Sequence, residues 1–426
     1  MTRAAKSANR CSPLQTSLDD AEGRGASVER PQRGRLATHW DLDEDTVFLN
    51  HGSFGACPRF IREEQRRWQD LMERDPVRFF ERTAPAASRA SREALADFLR
   101  CDAADLVFVQ NATSGVNTVL RSLRFEEGDE LLVPDHAYQA CRNALDFVAQ
   151  RWGATTIVCE IPFPIETQRQ ALDAVLENIS SRTRLALIDV VTSPTGLVMP
   201  YQALVQELEA GGVEVLLDAA HAPGMLPLDL DSLGASYTTG NCHKWLCAPK
   251  GAAFLHVRKD LQHAIHPLSL SHGMTFPLGD STRYRLEFDW AGTLDPSAWF
   301  CIPKLISGMA DLVEGGWGEI VRHNHELVLA GRELLCEVLN ITALCPAQMV
   351  GSIAAVMLPG EPSAGMPMHE PDPLHDHLLD QHGIQVPVWS WLSPRGRYLR
   401  ISAQLYNHID EYAYLADCIG HWLENV

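Results

Sequence analysis

From about Asp105 to Val257 the chain alternates short apolar runs with amphipathic stretches. The runs are Asp105–Val109, Glu130–Val133, Thr155–Cys159, Leu185–Val191, Val213–Asp218, Ser236–Thr239 and Ala252–Val257. They are rich in Val, Ile, Leu and Phe, as strands buried on both faces must be. Helical spacing appears between several of them, over Gly115–Leu123, Tyr138–Gln150, Gln168–Asn178 and Tyr201–Ala210. This alternation predicts an α/β domain whose seven-stranded, mostly parallel sheet carries helices on both faces. Such sheets bind ligands beyond the carboxyl ends of their strands. Polar residues that close a strand are therefore the first candidates for chemistry.

After Asp295 the pattern changes. A long helical stretch covers about Pro303–Leu339, followed by a strand at Ser352–Leu358 and a Pro- and His-rich loop at Pro359–Pro373. A helix near Leu374–Gln381, strands at Ile384–Trp391 and Tyr398–Ala403, and a closing helix at Asp410–Glu424 complete an α+β pattern. The expected organisation is a disordered leader over 1–35, an N-terminal arm over 36–60, a large ligand-binding domain over 61–300 and a smaller C-terminal domain over 301–426. The leader lacks the apolar core of a signal peptide and holds few large apolar residues.

Composition narrows the function classes. Apolar residues make up 46% and charged residues 21% of the 426, ordinary for globular chains. A net charge of −19 disfavours a phosphate-backbone partner. No apolar run approaches the ~18 residues of a membrane span. The 11 cysteines form no C-x-x-C pair, which suits free thiols in a reducing, cytoplasmic compartment. Only five residues are lysine: Lys6, Lys244, Lys250, Lys259 and Lys304. Cys242 and Cys247 bracket His243, but their spacing is not a usual zinc pattern, and no metal is expected.

Asp218 closes the apolar run Val-Glu-Val-Leu-Leu, and Lys244 follows the next run, 26 residues later. Both come to the ligand-binding edge of the sheet. An Asp and a Lys so placed suit pyridoxal phosphate: the amine forms an imine with the cofactor aldehyde, and the carboxylate keeps the pyridine nitrogen protonated, so that the ring withdraws electrons. The spacing alone fits a structural ion pair equally well. Asn111-Ala-Thr-Ser-Gly115 joins a strand to a helix, and a helix N-terminus with small residues offers N–H groups to an anion. Ala112, Thr113 and Ser114 thus form a candidate phosphate cradle, or else an ordinary N-cap. Arg400 lies inside the apolar run Tyr-Leu-Arg-Ile-Ser. A buried Arg there needs a partner, and a guanidinium grips a carboxylate through two parallel bonds.

These segments, DAAHAPG (218–224) and YTTGNCHKWLCAPKG (237–251) foremost, resemble the class V aminotransferase branch of fold type I pyridoxal-phosphate enzymes, closest to the isopenicillin N epimerase-like proteins. The resemblance runs from about Asp45 to Asn407. It includes FLNHGSFG (48–55), RDPVRFF (74–80), NATSGVN (111–117), IDVVTSPTG (188–196), FDWAGTLD (288–295), GIQVPVWSW (383–391) and RYLRISAQLYN (397–407). It implies that Asn241 and His243 join the phosphate site and that His221 bonds the cofactor's ring oxygen. By the same resemblance Asn50, His51 and Arg400 face the substrate, an amino acid. Thr293 would reach the phosphate of a neighbouring subunit, making a homodimer with composite sites. Either His136 or Tyr138 would lie on the ring face.

The resemblance implies chemistry at the amino acid α-carbon, with Lys244 as the base. Reprotonation from the opposite face gives epimerisation and needs a second acid, Tyr138 or His136. Protonation of the cofactor gives transamination, and loss of a β-substituent gives a lyase. Epimerisation is the first expectation; a C–S lyase resembling the ergothioneine-pathway sulfoxide lyases, or an aminotransferase, is the alternative. A desulfurase needs a nucleophilic Cys near the substrate Arg, and the stretch from Gly383 to Arg400 has none. Trp389 and Trp391 either wall a substrate pocket or belong to the core.

Overall fold

The computed structural model describes residues 30–425 except 280, 362–371 and 393–394. Most of the expected leader and of the Pro- and His-rich loop therefore lies outside the described residues. Seven strands form the large sheet: β1 (Leu106–Val109), β2 (Glu130–Pro134), β3 (Thr155–Cys159), β4 (Thr183–Asp189), β5 (Glu214–Asp218), β6 (Tyr237–Asn241) and β7 (Ala253–Val257). Their order is β1-β7-β6-β5-β4-β2-β3, and β7 alone runs antiparallel to its neighbours. The fold is that of a fold type I pyridoxal-phosphate enzyme.

Alternation along the strands explains the two cores. Leu131, Val133, Leu185 and Leu187 pack on one face with Val116, Val119, Cys141 and Leu145 of helices α1 (Ala112–Ser122) and α2 (Gln139–Trp152). Leu132, Ala186, Ile188, Val215 and Leu217 pack on the other face with Leu95, Leu99, Val175 and Leu204. Both faces are dry, which is why these strands read as continuous apolar runs.

The helix α1 sits unusually close to the sheet. A Cβ on Gly115 would lie 2.0 Å from Thr239 Oγ1, and that hydroxyl is held by a 2.8 Å bond to the Phe254 carbonyl. Only glycine lets the α1 N-terminus approach the end of β6 this closely.

Three antiparallel strands form a second sheet, in the order β9 (Val388–Leu392), β10 (Arg395–Ser402), β8 (Ile353–Leu358). Helices Gly316–Val338 and Ile409–Glu424 cover it through Val328, Leu335, Tyr412 and Leu415. The long helical stretch expected over Pro303–Leu339 is two helices, Ile302–Ala310 and Gly316–Val338. They are separated where Gly315 adopts φ 95°, a conformation a helix cannot continue through. Two further helices, Arg59–Arg74 and Ala84–Leu99, carry no expectation from the sequence. No helix among the described residues is long and apolar enough to cross a membrane.

Candidate active site

A cavity of about 260 Å³ opens beyond the carboxyl ends of β1, β2, β4, β5 and β6. Asn111, Ala112 and Thr113 follow β1, and Tyr138 follows β2. Asp189 and Asp218 close β4 and β5, and Asn241, His243 and Lys244 come from the end of β6. Ser53 and Phe54 line the cavity from the N-terminal segment, with Phe54 75% exposed.

Lys244 is the only lysine in the lining. Its Nζ lies 3.0 Å from His221 Nε2. Burial pushes the amine down to about 8, against the opposing pull of Asp218. On the other side of the ring, His221 Nδ1 accepts a 3.2 Å bond from the Trp245 indole N–H. Burial holds His221 well below its usual range. The turn carrying the lysine is pinned from outside: Gly55, at φ +68°, brings its Cα so near the His243 carbonyl that a Cβ would sit 2.2 Å from the oxygen.

Asp218 accepts from the Ala220 N–H (2.9 Å) through Oδ1 and from the Cys141 thiol (3.1 Å) through Oδ2. Burial raises its carboxyl, while the nearby Lys244 lowers it. Asp189 is its register partner on β4. Asp189 Oδ2 accepts from the Tyr138 N–H at 3.1 Å, and Oδ1 is buried with no partner. Burial, and then the neighbouring Asp218, push Asp189 well above the usual carboxylate range. Sequence reading missed Asp189. The signal was available, since Asp189 closes a strand just as Asp218 does.

At the α1 N-terminus, Asn111 caps the helix by accepting from both the N–H (2.8 Å) and the hydroxyl (3.0 Å) of Ser114. Asn241 Oδ1 accepts from the Ala112 N–H at 2.8 Å, which leaves its amide N–H groups as donors. His243 Nδ1 is 3.0 Å from the Ala252 carbonyl, and burial pushes the imidazole down to about 4.

Arg400 reaches the site from β10. Its Nη1 donates to the Ser193 carbonyl, its Nη2 to Ser53 Oγ (2.9 Å) and Asn50 Oδ1 (3.3 Å), and its Nε is buried without a partner. Among the described residues no carboxylate pairs with it, and burial pushes the guanidinium down to about 10.

The structure gathers Ala112, Thr113, Tyr138, Asp218, His221, Asn241, His243 and Lys244 around one cavity, with Arg400 behind Ser53 and Ser193. Five expected residues stand elsewhere. Ser114 does not line the cavity, because its donors are spent on the Asn111 cap. His51 is buried behind the lysine, with Nε2 3.0 Å from the Lys244 carbonyl and Nδ1 2.8 Å from the Tyr406 hydroxyl. Asn50 contributes only through its bond to Arg400. His136 lies in the core: Nδ1 is 2.9 Å from Thr195 Oγ1, and the ring packs on Trp391 and Phe163. Of the two aromatics expected at the ring face, only Tyr138 lines the cavity. Thr293 is not in the lining of its own chain's cavity. Trp391 is core, and Trp389 packs against it partly buried.

The residues fit pyridoxal phosphate on the donor set alone. A capped helix N-terminus with a neighbouring amide suits a phosphate, a buried carboxylate suits a protonated ring nitrogen, and a buried lysine of lowered basicity suits an aldehyde. Comparisons with known proteins agree. The profile described as "Aminotransferase class-V" matches residues 61–386. A putative L-cysteine desulfhydrase 1 of Oryza sativa subsp. japonica is 32% identical over 87% of this chain and 82% of its own. The isopenicillin N epimerase of Streptomyces clavuligerus is also 32% identical, over 91% of this chain and 96% of its own. A mutant of C-DES with glycine covalently linked to its PLP cofactor shares the fold, with a TM-score of 0.73 at 18% identity, covering 88% of this chain and 97% of that one.

Proposed function

This chain belongs to the class-V aminotransferase family and uses pyridoxal 5′-phosphate, and on that premise we propose that it is an amino acid epimerase in which Lys244 and Tyr138 serve the two faces of the α-carbon. When bound, the cofactor makes the α-proton of an attached amino acid acidic. The α-carboxylate docks on the Arg400 guanidinium. Lys244 Nζ takes the α-proton, for which a neutral amine is required, and burial, by lowering the amine to about 8, enlarges the neutral fraction. Asn241 and the first turn of α1 hold the phosphate, and Asp218 holds the ring nitrogen.

One observation carries the epimerase reading: Tyr138 enters the same cavity as Lys244, from the other side of the Asp189–Asp218 pair in the sheet. Its phenol stays protonated, because burial raises it further, so it can return a proton. Replacing Tyr138 with Phe should reduce D-isomer formation by about 10²-fold or more, while deuterium from solvent still exchanges at the α-carbon of the L-isomer. The readout is chiral chromatography with mass spectrometry in heavy water. Undiminished racemisation in the variant would end this reading.

The 32% identity to a cysteine desulfhydrase favours a second reading, β-elimination from a cysteine-like substrate. Lys244 would then be the only acid–base group required. Pyruvate, ammonia and sulfide released from L-cysteine at similar rates by wild type and Tyr138→Phe would select it. Desulfuration through a cysteine persulfide has less support. No cysteine lines the cavity among the described residues, and the Cys141 thiol is bonded to Asp218.

The same family reading makes the working unit a homodimer, with Thr293 serving the neighbouring subunit's phosphate. Leu268, Leu270, Met274, Phe276 and Leu278, all between 42% and 56% exposed, form an apolar stretch that a second copy would cover. Sedimentation should give twice the chain mass. Thr293→Ala should weaken pyridoxal 5′-phosphate binding, and a monomer with full cofactor affinity would refute the composite site.

A further inference from the structure

We propose that Trp245 is a positioning residue for this site: its indole N–H fixes His221 in the tautomer with the proton on Nε2, and that proton holds the Lys244 amine as a neutral acceptor. The inference deepens the proposed function and rests on Lys244 being the reacting amine.

Trp245 is fully buried, and an indole N–H only donates. Left unpaired in the interior, it would carry an uncompensated desolvation cost. Its partner is His221 Nδ1, at 3.2 Å. A nitrogen that accepts carries no proton, so in a neutral imidazole the proton is on Nε2. Nε2 lies 3.0 Å from Lys244 Nζ. An ammonium has no lone pair to accept that proton. The contact is therefore satisfied only when the lysine is neutral. The reverse tautomer would set N–H against N–H at Trp245 and would offer Nε2 to a charged lysine.

The backbone of the same lysine repeats the logic. A carbonyl only accepts, so His51 Nε2, 3.0 Å from the Lys244 oxygen, must be the donor. His51 Nδ1 then accepts from the Tyr406 hydroxyl at 2.8 Å. Each end of Lys244 is thus held by a neutral histidine, and each histidine is fixed by an aromatic donor. Burial keeps both imidazoles neutral, with His51 pushed down to about 3.

Other charges also act on the amine. Asp218 and Asp189, from the ends of β5 and β4, favour its charged form, as does Cys141 from α2 when ionised. Arg400 from β10 disfavours it, as would a protonated His51 or His243. The indole N–H bonds His221 and none of these groups, though the His51 ring packs on the indole at 4.7 Å, so Trp245→Phe, which keeps an aromatic ring there, tests the tautomer rather than the general field.

The experiment is ¹⁵N NMR of the full chain labelled at histidine, with His221→Gln assigning the His221 signals. Wild type should show a pyridine-type Nδ1 and a pyrrole-type Nε2; the reverse pattern overturns the proposal without any Trp245 variant. In Trp245→Phe the fixed pattern should be lost. The rate at which cofactor-free chain captures pyridoxal 5′-phosphate, followed by visible absorbance against pH, should shift its midpoint upward by about one unit, roughly tenfold less neutral amine at neutral pH. Unchanged NMR signals and an unchanged midpoint in Trp245→Phe, with capture lost in Lys244→Ala, overturn this inference alone. Capture at the wild-type rate in Lys244→Ala overturns the lysine assignment and the inference with it.

Discussion

Replacing Lys244 with Ala is expected to abolish the visible absorbance of the cofactor-loaded protein and to lower turnover by about 10²–10⁴-fold, the contribution of a positioned general base. Among the described residues no other lysine is placed to take over. Lys250 donates to the Gly55 carbonyl at 2.9 Å, Lys304 pairs with Glu64, and Lys259 is exposed. The truncated side chain leaves a vacancy beside His221 Nε2 that a small primary amine can enter, so added methylamine should restore part of the lost turnover. The wild-type rate should fall as pH drops below about 8, because the lysine is then increasingly protonated and an ammonium cannot accept the α-proton. That limb should vanish in Lys244→Ala and reappear, shifted to the basicity of the added amine, in the rescued reaction. Full colour and turnover in the variant would remove Lys244 from the mechanism. So would a rescue that ignores the basicity of the amine.

What the sequence made legible is set by where the physics is local. Two-sided burial writes a strand as a continuous apolar run, so the seven strands of the large sheet are found within about two residues, and Asp218 and Lys244 with them. Asp189 was lost to such a boundary error. Reading the fourth strand as Leu185–Val191 places Asp189 inside the run, whereas the strand ends at Asp189, level with Asp218. The side to which His51 and His136 turn was illegible for a different reason. Sequence tells which loop a histidine is on, but not whether the ring turns to the cavity or to the core. Here Tyr406 and Thr195, distant in sequence, supply the partners that draw both rings inward. Helix Arg59–Arg74 was overlooked although the signal is there: Phe60, Ile61, Trp68, Leu71 and Met72 recur at helical spacing between charged residues, and the first three pack on the core. Trp245 reads as one more core aromatic until its nitrogen is seen against His221.

Arg400 should separate function from stability in opposite directions. Its guanidinium is fully desolvated, with two serines, an asparagine and a backbone carbonyl as partners, an orphaned Nε and, among the described residues, no carboxylate. A buried charge without a counter-ion burdens the fold, and the substrate α-carboxylate is the group that would relieve it. Arg400→Gln keeps a polar side chain of similar reach and removes the charge. Losing one partner of a buried, hydrogen-bonded charge pair costs about 2–5 kcal/mol, so kcat/KM for an α-amino acid should fall by about 30- to 4,000-fold at 1.4 kcal/mol per decade. The thermal midpoint without substrate should hold or rise, since the uncompensated charge is gone. Arg400→Lys should fall between, keeping the charge but not the two-pronged geometry. The decisive comparison uses a primary amine that lacks the carboxylate. Wild type should handle it as poorly as Arg400→Gln does, because neither then has the ion pair to lose. If the variant loses stability as well as activity, or if the penalty is the same with and without the substrate carboxylate, Arg400 is a structural residue and the carboxylate binds elsewhere.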